Sequence, residues 1–261
     1  MAKIILVLRW AQKKRFEMNS RTASATKYVL ALTTTALLFA NLTWATDDKN
    51  ESDINKRLDT SAHVLNEIMA TPDKAIPDGI MHDAKCIAVI PSMVKVAFVF
   101  GGNHGKGVAT CRTADGWSAP APITITGGSW GLQLGGQAVD LVLVVMTDQG
   151  MEHLLSSHFK LGADISAAAG PVGRDATAGT DVKMRAEVLT YSRTRGLFAG
   201  IDLSGAAISQ DKDETQVLFG QMVPFQDILH GKVPAPAGSE PFLTAVRRYS
   251  SQARDQAANT N

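Results

Sequence analysis

The sequence predicts an α+β fold, in which a curled or barrel-like antiparallel β-sheet of about eight strands is flanked by N-terminal and C-terminal helices. Short β-branched or aromatic runs, separated by Gly, Pro, Asn or Asp, fill the chain between residues 85 and 210. Glycines recur inside these runs, where they are typical of bulges, bends and close backbone approaches. Apolar residues recur at helical spacing mainly before and after this region.

The strand region is divided into hairpin-spaced runs, which indicates an antiparallel sheet that curls or closes. A β-turn is predicted at residues 103–105, and a helical connection at 151–157. The runs, in order, are KCIAVIP, KVAFVFGG, GKGVATCR, APITITGG, AVDLVLVVM, FKLGADISAAAG, EVLTYSRTR and GLFAGIDLSGAAIS.

Two longer helices and several short ones are predicted around the strands. Residues 51–70 place apolar side chains at helical spacing, and this stripe either packs on the domain or contacts a membrane. Its main members are Ile54, Leu58, Leu65 and Ile68. Short helical pieces are predicted at 77–84, 215–220 and 223–230. A last helix follows Ser239, with Phe242, Val246, Tyr249 and Ala253 on one stripe.

Charge is distributed unevenly along the chain. The 26 basic and 25 acidic residues give a formal net charge of +1, but the first 45 residues hold seven of the basic ones and a single acid. The remainder is therefore acidic, with a net charge of −5. Such a body repels nucleic acid unless it carries a local basic patch, so a nucleic-acid partner is not predicted.

The basic N-terminal stretch precedes an apolar run of about fifteen residues, 28–42. This run is shorter than a membrane span, which needs about 20 apolar residues, and is typical of a secretory signal. We predict a signal peptide over 1–45 cleaved after Ala45, and a single domain over 46–261, in the periplasm or secreted. Met18 is an alternative start, and an uncleaved anchor is the alternative to cleavage.

The two cysteines, Cys86 and Cys111, both lie in the exported part. A pair in an oxidising compartment is more often a disulfide than two free thiols, and each cysteine sits in a predicted strand. We therefore predict a cross-strand disulfide. A metal site is the alternative, although neither a CxxC motif nor clustered histidines accompany the cysteines.

Two glycine-rich motifs resemble catalytic or nucleotide-binding sequences. Residues 127–131 match G-x-S-x-G around Ser129, but the residues that follow cannot form the helix on which that mechanism depends. Residues 100–107 combine glycines with Lys106, but the Walker spacing fails. The six histidines are scattered. We therefore predict no enzyme, no cofactor and no metal site, with a hydrolase using Ser129 as the remote alternative.

One charge pattern, KMRAEVLTYSRTR, indicates a binding surface. In an extended strand, alternate residues project to the same side, which would place four cations and a tyrosine on one face. That face could hold lipid phosphates, since arginine makes bidentate contacts with them. The alternative is a solvated outer face. The predicted lipid-binding residues are Lys183, Arg185, Tyr191, Arg193 and Arg195.

Residues 191–205, YSRTRGLFAGIDLSG, resemble the hallmark segment of the SYLF family. Shorter motifs agree in order: AVIP at 88–91, the glycine-rich stretch to 107, GWSAP at 116–120, and GLQLGG at 131–136 followed by Asp140. The resemblance covers roughly residues 52–220.

The resemblance implies a non-enzymatic lipid-binding domain. Eukaryotic members of the family bind phosphoinositides, and yeast members also bind actin. An exported bacterial member would meet neither, so the implied ligand is an anionic phospholipid or lipopolysaccharide of the envelope. By the same resemblance, Arg193, Arg195 and the apolar stripe of the first helix would contact the membrane. A structural or adaptor role with an unidentified protein partner is the alternative.

Overall fold

A computed structural model describes residues 44–71, 75–97, 100–130, 135–156, 158–172, 186–194, 197–199, 203 and 205–260. The unit that begins at residue 51 is compact. The apolar run of the predicted signal peptide, together with Lys183, Arg185 and Arg195, lies outside the described residues.

Ten strands form one curled sheet, so the predicted α+β class is confirmed. The strands are β1 (Cys86–Ala97), β2 (Phe100–Thr113), β3 (Gly116–Trp117), β4 (Ala121–Trp130), β5 (Gly135–Val145), β6 (His158–Lys160), β7 (Ala167–Ala169), β8 (Val188–Thr194), β9 (Leu197–Ala199) and β10 (Ala207–Gln210). Eight of them follow the path β6-β10-β4-β2-β1-β5-β8-β7, while β3 pairs with β2 and β9 with β8. Pairing is antiparallel except between β7 and β8.

Six α-helices accompany the described strands: α1 (Trp44–Met69), α2 (Asp78–Asp83), α3 (Asp148–Leu155), α4 (Lys212–Phe219), α5 (Phe225–Leu229) and α6 (Glu240–Thr260). The predicted first helix is present and begins seven residues earlier than expected. No helix within the described residues is long and apolar enough to cross a membrane.

Apolar clusters cover both faces of the sheet because side chains alternate along each strand. On one face, Ala88, Ile123 and Leu141 pack with α3 and α5. On the other face, Val89 and Val142 pack under α1, α2 and α6. We call this second face the helix-side face.

The long strands β1 and β2 replace what the sequence predicted as three shorter ones. A β-bulge interrupts β1 near Pro91 and Ser92, and Ser92 has a positive φ of 49°. The predicted turn at 103–105 is wrong, since Asn103 pairs with Lys95 on one side and Gly127 on the other. The glycines here serve close packing: a Cβ on Gly105 would lie 2.7 Å from Cγ2 of Ile90.

Candidate functional site: charged contacts beneath the first helix

Strand β8 carries the described part of the predicted basic face, and that face lies beneath α1. Leu189 and Tyr191 are buried in the helix-side cluster. Tyr191 packs so closely on Gly170 that a Cβ there would lie 2.6 Å from Cε1 of the ring. Burial raises the pKa of Tyr191, and its hydroxyl has no hydrogen-bond partner in the structure. Tyr191 is therefore a core residue here, and the prediction that it contacts lipid at the surface is not met in this conformation.

Arg193 is bound by two carboxylates and is only 20% exposed. Its Nε and Nη2 donate to Oδ2 of Asp140 at 3.1 and 2.7 Å, and Nη1 forms an ion pair with Glu67 of α1. Burial alone would lower the pKa of Arg193, but the two carboxylates outweigh it and hold the pKa above its usual value. One cation between two anions leaves a net negative cluster, so Arg193 does not present an open basic surface.

Asp140 also stabilises the bulge in β1. Its Oδ1 accepts the backbone N–H of Ser92 at 2.9 Å. A positive φ is uncommon for a residue other than glycine and needs support from its surroundings. Asp140 thus connects the bulge, β8 and, through Arg193, helix α1.

A second cluster of charges contacts α1 nearer its N-terminus, at Arg57. Nζ of Lys106 is 2.9 Å from Oδ2 of Asp211 and 3.1 Å from Oε1 of Glu214. Arg57 of α1 reaches the same Glu214 oxygen at 3.3 Å. Burial alone would raise the pKa of Asp211, but hydrogen bonds from Lys106 and from the backbone of Glu214 hold it below its ordinary value.

The two clusters show that α1 runs across the strands. Ten residues separate Arg57 from Glu67, which is about 15 Å along a helix. Their partners lie on or beside β2 and β8, which are three strand spacings apart, or about 14 Å. Helix α1 therefore crosses β2, β1, β5 and β8. One ion pair holds it beside β2 and another holds it at β8.

The apolar stripe of α1 faces the sheet between these two contacts. Ile54, Leu58, Leu65 and Ile68 are all fully buried in the helix-side cluster. The stripe predicted to contact a membrane is used for core packing in this conformation, because burying four large aliphatic side chains contributes about 1.5–3 kcal/mol each.

The predicted cysteine pair is bonded in the structure. Cys86 and Cys111 are register partners on β1 and β2, with Sγ atoms 2.03 Å apart and Cα atoms 4.0 Å apart. Both side chains are fully buried in the cluster on the face opposite α1. The bond joins the two central strands at the end where β1 begins.

Residues that resembled catalytic motifs lie in extended strands. Ser129 is in β4 opposite Gly101, so the strand-to-helix turn of a hydrolase is not formed there. Asp140 and Asp148, the next two acids along the chain, form ion pairs with Arg193 and Lys85. Lys106 lies in β2 and is bound by carboxylates, which also excludes the phosphate-loop interpretation. Within the described residues, no three His, Cys, Asp or Glu side chains are grouped so as to hold a metal ion.

These features define a class of protein: an α+β domain in which one helix is clamped across a glycine-rich curled sheet. Residues 126–249 match the family model of Ysc84, described as a Las17-binding protein actin regulator. The chain belongs to this Ysc84, or SYLF, family.

Relatives of the chain occur in mammals and yeast. It is 33% identical over 192 residues to the rat SH3 domain-containing YSC84-like protein 1, a match that covers 73% of this chain and 56% of the relative. It is 32% identical over 175 residues to Protein YSC84 of Saccharomyces cerevisiae, covering 66% and 37%. LAS seventeen-binding protein 3 from the same yeast is 32% identical over 178 residues, covering 67% and 39%. The chain thus spans about half or less of the length of these relatives.

Replacing Arg193 with alanine is expected to lower the free energy of unfolding by about 2 kcal/mol, because it leaves Asp140 and Glu67 without their shared cation. Arg248→Ala is a matched control on the exposed side of α6 and should change stability by less than about 0.5 kcal/mol. Denaturant unfolding measures both. Equal stability of the two variants would show that Arg193 does not hold α1 on the sheet.

Proposed function

We propose that this chain is an exported, non-enzymatic protein of the bacterial envelope whose Ysc84 domain binds anionic lipid at a membrane surface. The observation that carries the proposal is the separation of charge along the sequence. No Asp or Glu occurs at residues 84–114 or 116–139, although the chain beyond residue 45 has a net charge of −5. Strands β1 to β4 therefore bring only cations to an otherwise acidic domain, which favours an anionic surface over a basic partner.

The basic face of β8 contributes to this proposal only through residues outside the described ones. Arg193 is occupied by Glu67 and Asp140, so a lipid phosphate would have to displace the carboxylate of α1 to reach it. Lys183, Arg185 and Arg195 remain proposed headgroup contacts. Phosphatidylglycerol, cardiolipin and lipopolysaccharide are the anionic lipids that an envelope offers to such contacts.

Cosedimentation with vesicles tests the proposed function. The processed protein, purified from the periplasm, is expected to sediment with vesicles of phosphatidylcholine and phosphatidylglycerol and to remain soluble with phosphatidylcholine alone. Added salt should weaken the binding, because surface charges more than a Debye length apart are screened. Failure to bind phosphatidylglycerol, cardiolipin or lipopolysaccharide would overturn the proposal.

A triple variant tests whether the cations of the basic face contribute to lipid binding. Lys183→Glu, Arg185→Glu and Arg195→Glu remove the proposed cations and leave Arg193 to hold α1. Weaker sedimentation is expected, by about fivefold per cation if each contributes about 1 kcal/mol near the surface. Undiminished binding by the triple variant would remove the basic face from the proposal and leave another surface to explain the binding.

A second candidate function is binding of a protein partner, which the description of the family model and the name of the yeast relative favour. An open cleft of about 280 Å³ between α1 and α6 offers a surface for it. Asn66, Pro241, Thr244 and Arg248 are among its lining residues. Deleting α6 is not a clean test, because Phe242, Leu243 and Val246 are fully buried.

Crosslinking in the intact envelope with Arg248→Glu tests this candidate without damaging the core. Loss of one crosslinked partner in the variant, with its thermal unfolding unchanged, would support partner binding through the cleft. The same partner captured by both forms would place the contact elsewhere.

A further inference from the structure

The four central strands extend beyond the part of the sheet that the core and α1 cover. Among the side chains that the structure describes, the last buried apolar ones toward this end are Met93, Ile125 and Val139. The next residues on the helix-side face are in register with one another, since Val94 pairs with His104 and with Ala138, and His104 pairs with Thr126. All four residues of this row are exposed: Ala138, Val94, His104 and Thr126.

We call the strand segments 94–97, 100–104, 126–130 and 135–138 the distal sheet end. Val94, at its base, is 48% exposed and is the most exposed of the large apolar residues that the structure describes. Gly102 and Gly128 are register partners further along, and a Cβ at Gly128 would meet nothing within 4 Å. At these described positions, the helix-side face of the distal sheet end is exposed.

Aromatic residues occupy the outermost register positions of this end. Phe100 and Trp130 are direct partners on β2 and β4. Aromatic residues are enriched where a protein meets the boundary between water and lipid, because their rings accept an apolar surrounding while tolerating the headgroup region.

The charges of the distal sheet end suit a negatively charged partner. Its four segments contain Lys95 and His104 and no Asp or Glu. The nearest acid on these strands is Asp140, and it is occupied by Arg193 and Ser92. An acid-free end on an acidic domain is complementary to an anionic lipid surface, which attracts Lys95 and accepts Val94.

We infer that the distal sheet end is the surface by which the domain docks on an anionic membrane, with Val94 entering the lipid boundary. The inference rests on the proposed function and assigns it to a place in the fold different from the basic face of β8. It requires no opening of α1, because the row from Ala138 to Thr126 is already exposed while α1 stays bound.

The test compares carboxylates introduced at the distal sheet end with a carboxylate introduced elsewhere. Val94→Glu combined with His104→Glu should weaken binding to phosphatidylglycerol vesicles at least tenfold, because two carboxylates would face the anionic surface. Met222→Glu is the matched control, since Met222 is 45% exposed and lies between α4 and α5. It should bind as the unchanged protein does. Thermal unfolding shows whether each variant is folded.

A fluorescent reporter provides a second readout that does not depend on those charges. Val94→Cys labelled with an environment-sensitive dye should shift to the blue when phosphatidylglycerol vesicles are added, whereas Met222→Cys with the same dye should not. If the unchanged protein binds vesicles but the double variant binds equally and the dye at 94 does not respond, this inference is wrong and the proposed function stands. If the unchanged protein does not bind, both fail. A dye at 94 that responds only to envelope proteins would replace the lipid with a protein partner.

Discussion

Gly107→Ala is expected to lower the free energy of unfolding by about 3 kcal/mol or more. Gly107 lies in β2 against the bulge of β1, where its Cβ would overlap the carbonyl oxygen of Val89 and lie 2.9 Å from Cα of Ile90. These are backbone atoms of the neighbouring central strand, so they can move only by disturbing the β1–β2 pairing. Overpacking of a well-filled interior typically costs 1–3 kcal/mol, and backbone displacement adds to that cost.

Gly102→Ala is the matched control, because it lies in the same strand and its added Cβ would meet only the carbonyl oxygen of Gly127 at 3.7 Å. Alanine restricts the unfolded chain more than glycine does, so this variant should be neutral or more stable by up to about 1 kcal/mol. Denaturant unfolding followed by circular dichroism measures both variants. If Gly107→Ala were as stable as Gly102→Ala, the close approach of β2 to the backbone of β1 at the bulge would be incorrect.

Breaking the bond between Cys86 and Cys111 is the second large expected effect. The two residues are 25 apart in sequence. Closing a loop of this size removes conformational entropy from the unfolded chain and stabilises the fold by about 3 kcal/mol on the chain-entropy model. A reductant should therefore lower the denaturant midpoint of the folded protein markedly, while a thiol assay on the unreduced, unfolded protein should find no free thiol.

The double variant Cys86→Ala with Cys111→Ala serves as the control for the reductant. It should be less stable than the oxidised protein by at least the same amount, and a reductant should leave its midpoint unchanged. Alanine is preferred to serine here because both positions are fully buried and a hydroxyl would lack a partner. A thiol assay that finds two free thiols in the unreduced, unfolded protein would contradict the bond.

The sequence predicted much of the sheet because period-two alternation and β-branched residues are local signals. Strands β4, β5 and β8 lie where the runs placed them. The long strand β1 was divided in two because Pro91 and Ser92 resemble a strand end, whereas the structure places them in a bulge that the strand passes through. Glycine is similarly ambiguous. Gly105 indicated a turn, whereas both Gly105 and Gly107 are required for close packing against that bulge.

The site was harder to predict because exposure depends on distant residues. Alternation correctly places Leu189, Tyr191 and Arg193 on one face, yet nothing local shows that α1 covers that face. The sequence did contain a signal that α1 covers this face. The buried stripe of α1 must lie against a sheet, and Glu67 at its margin is a natural partner for a strand arginine. The pairing of Lys106 with Asp211 and Glu214 joins segments too far apart in sequence for any pattern to indicate.

The path of eight strands ends in two of the shortest, since β6 and β7 have three residues each. A large sheet with long, straight borders would be a template for cross-chain polymerisation, because each border presents a row of unpaired amides and carbonyls. Borders of three residues offer an incoming chain few hydrogen bonds. Such short strands at both ends of the path disfavour fibril growth by strand addition there, even at the high local concentrations that a crowded cell compartment or a lipid surface would impose.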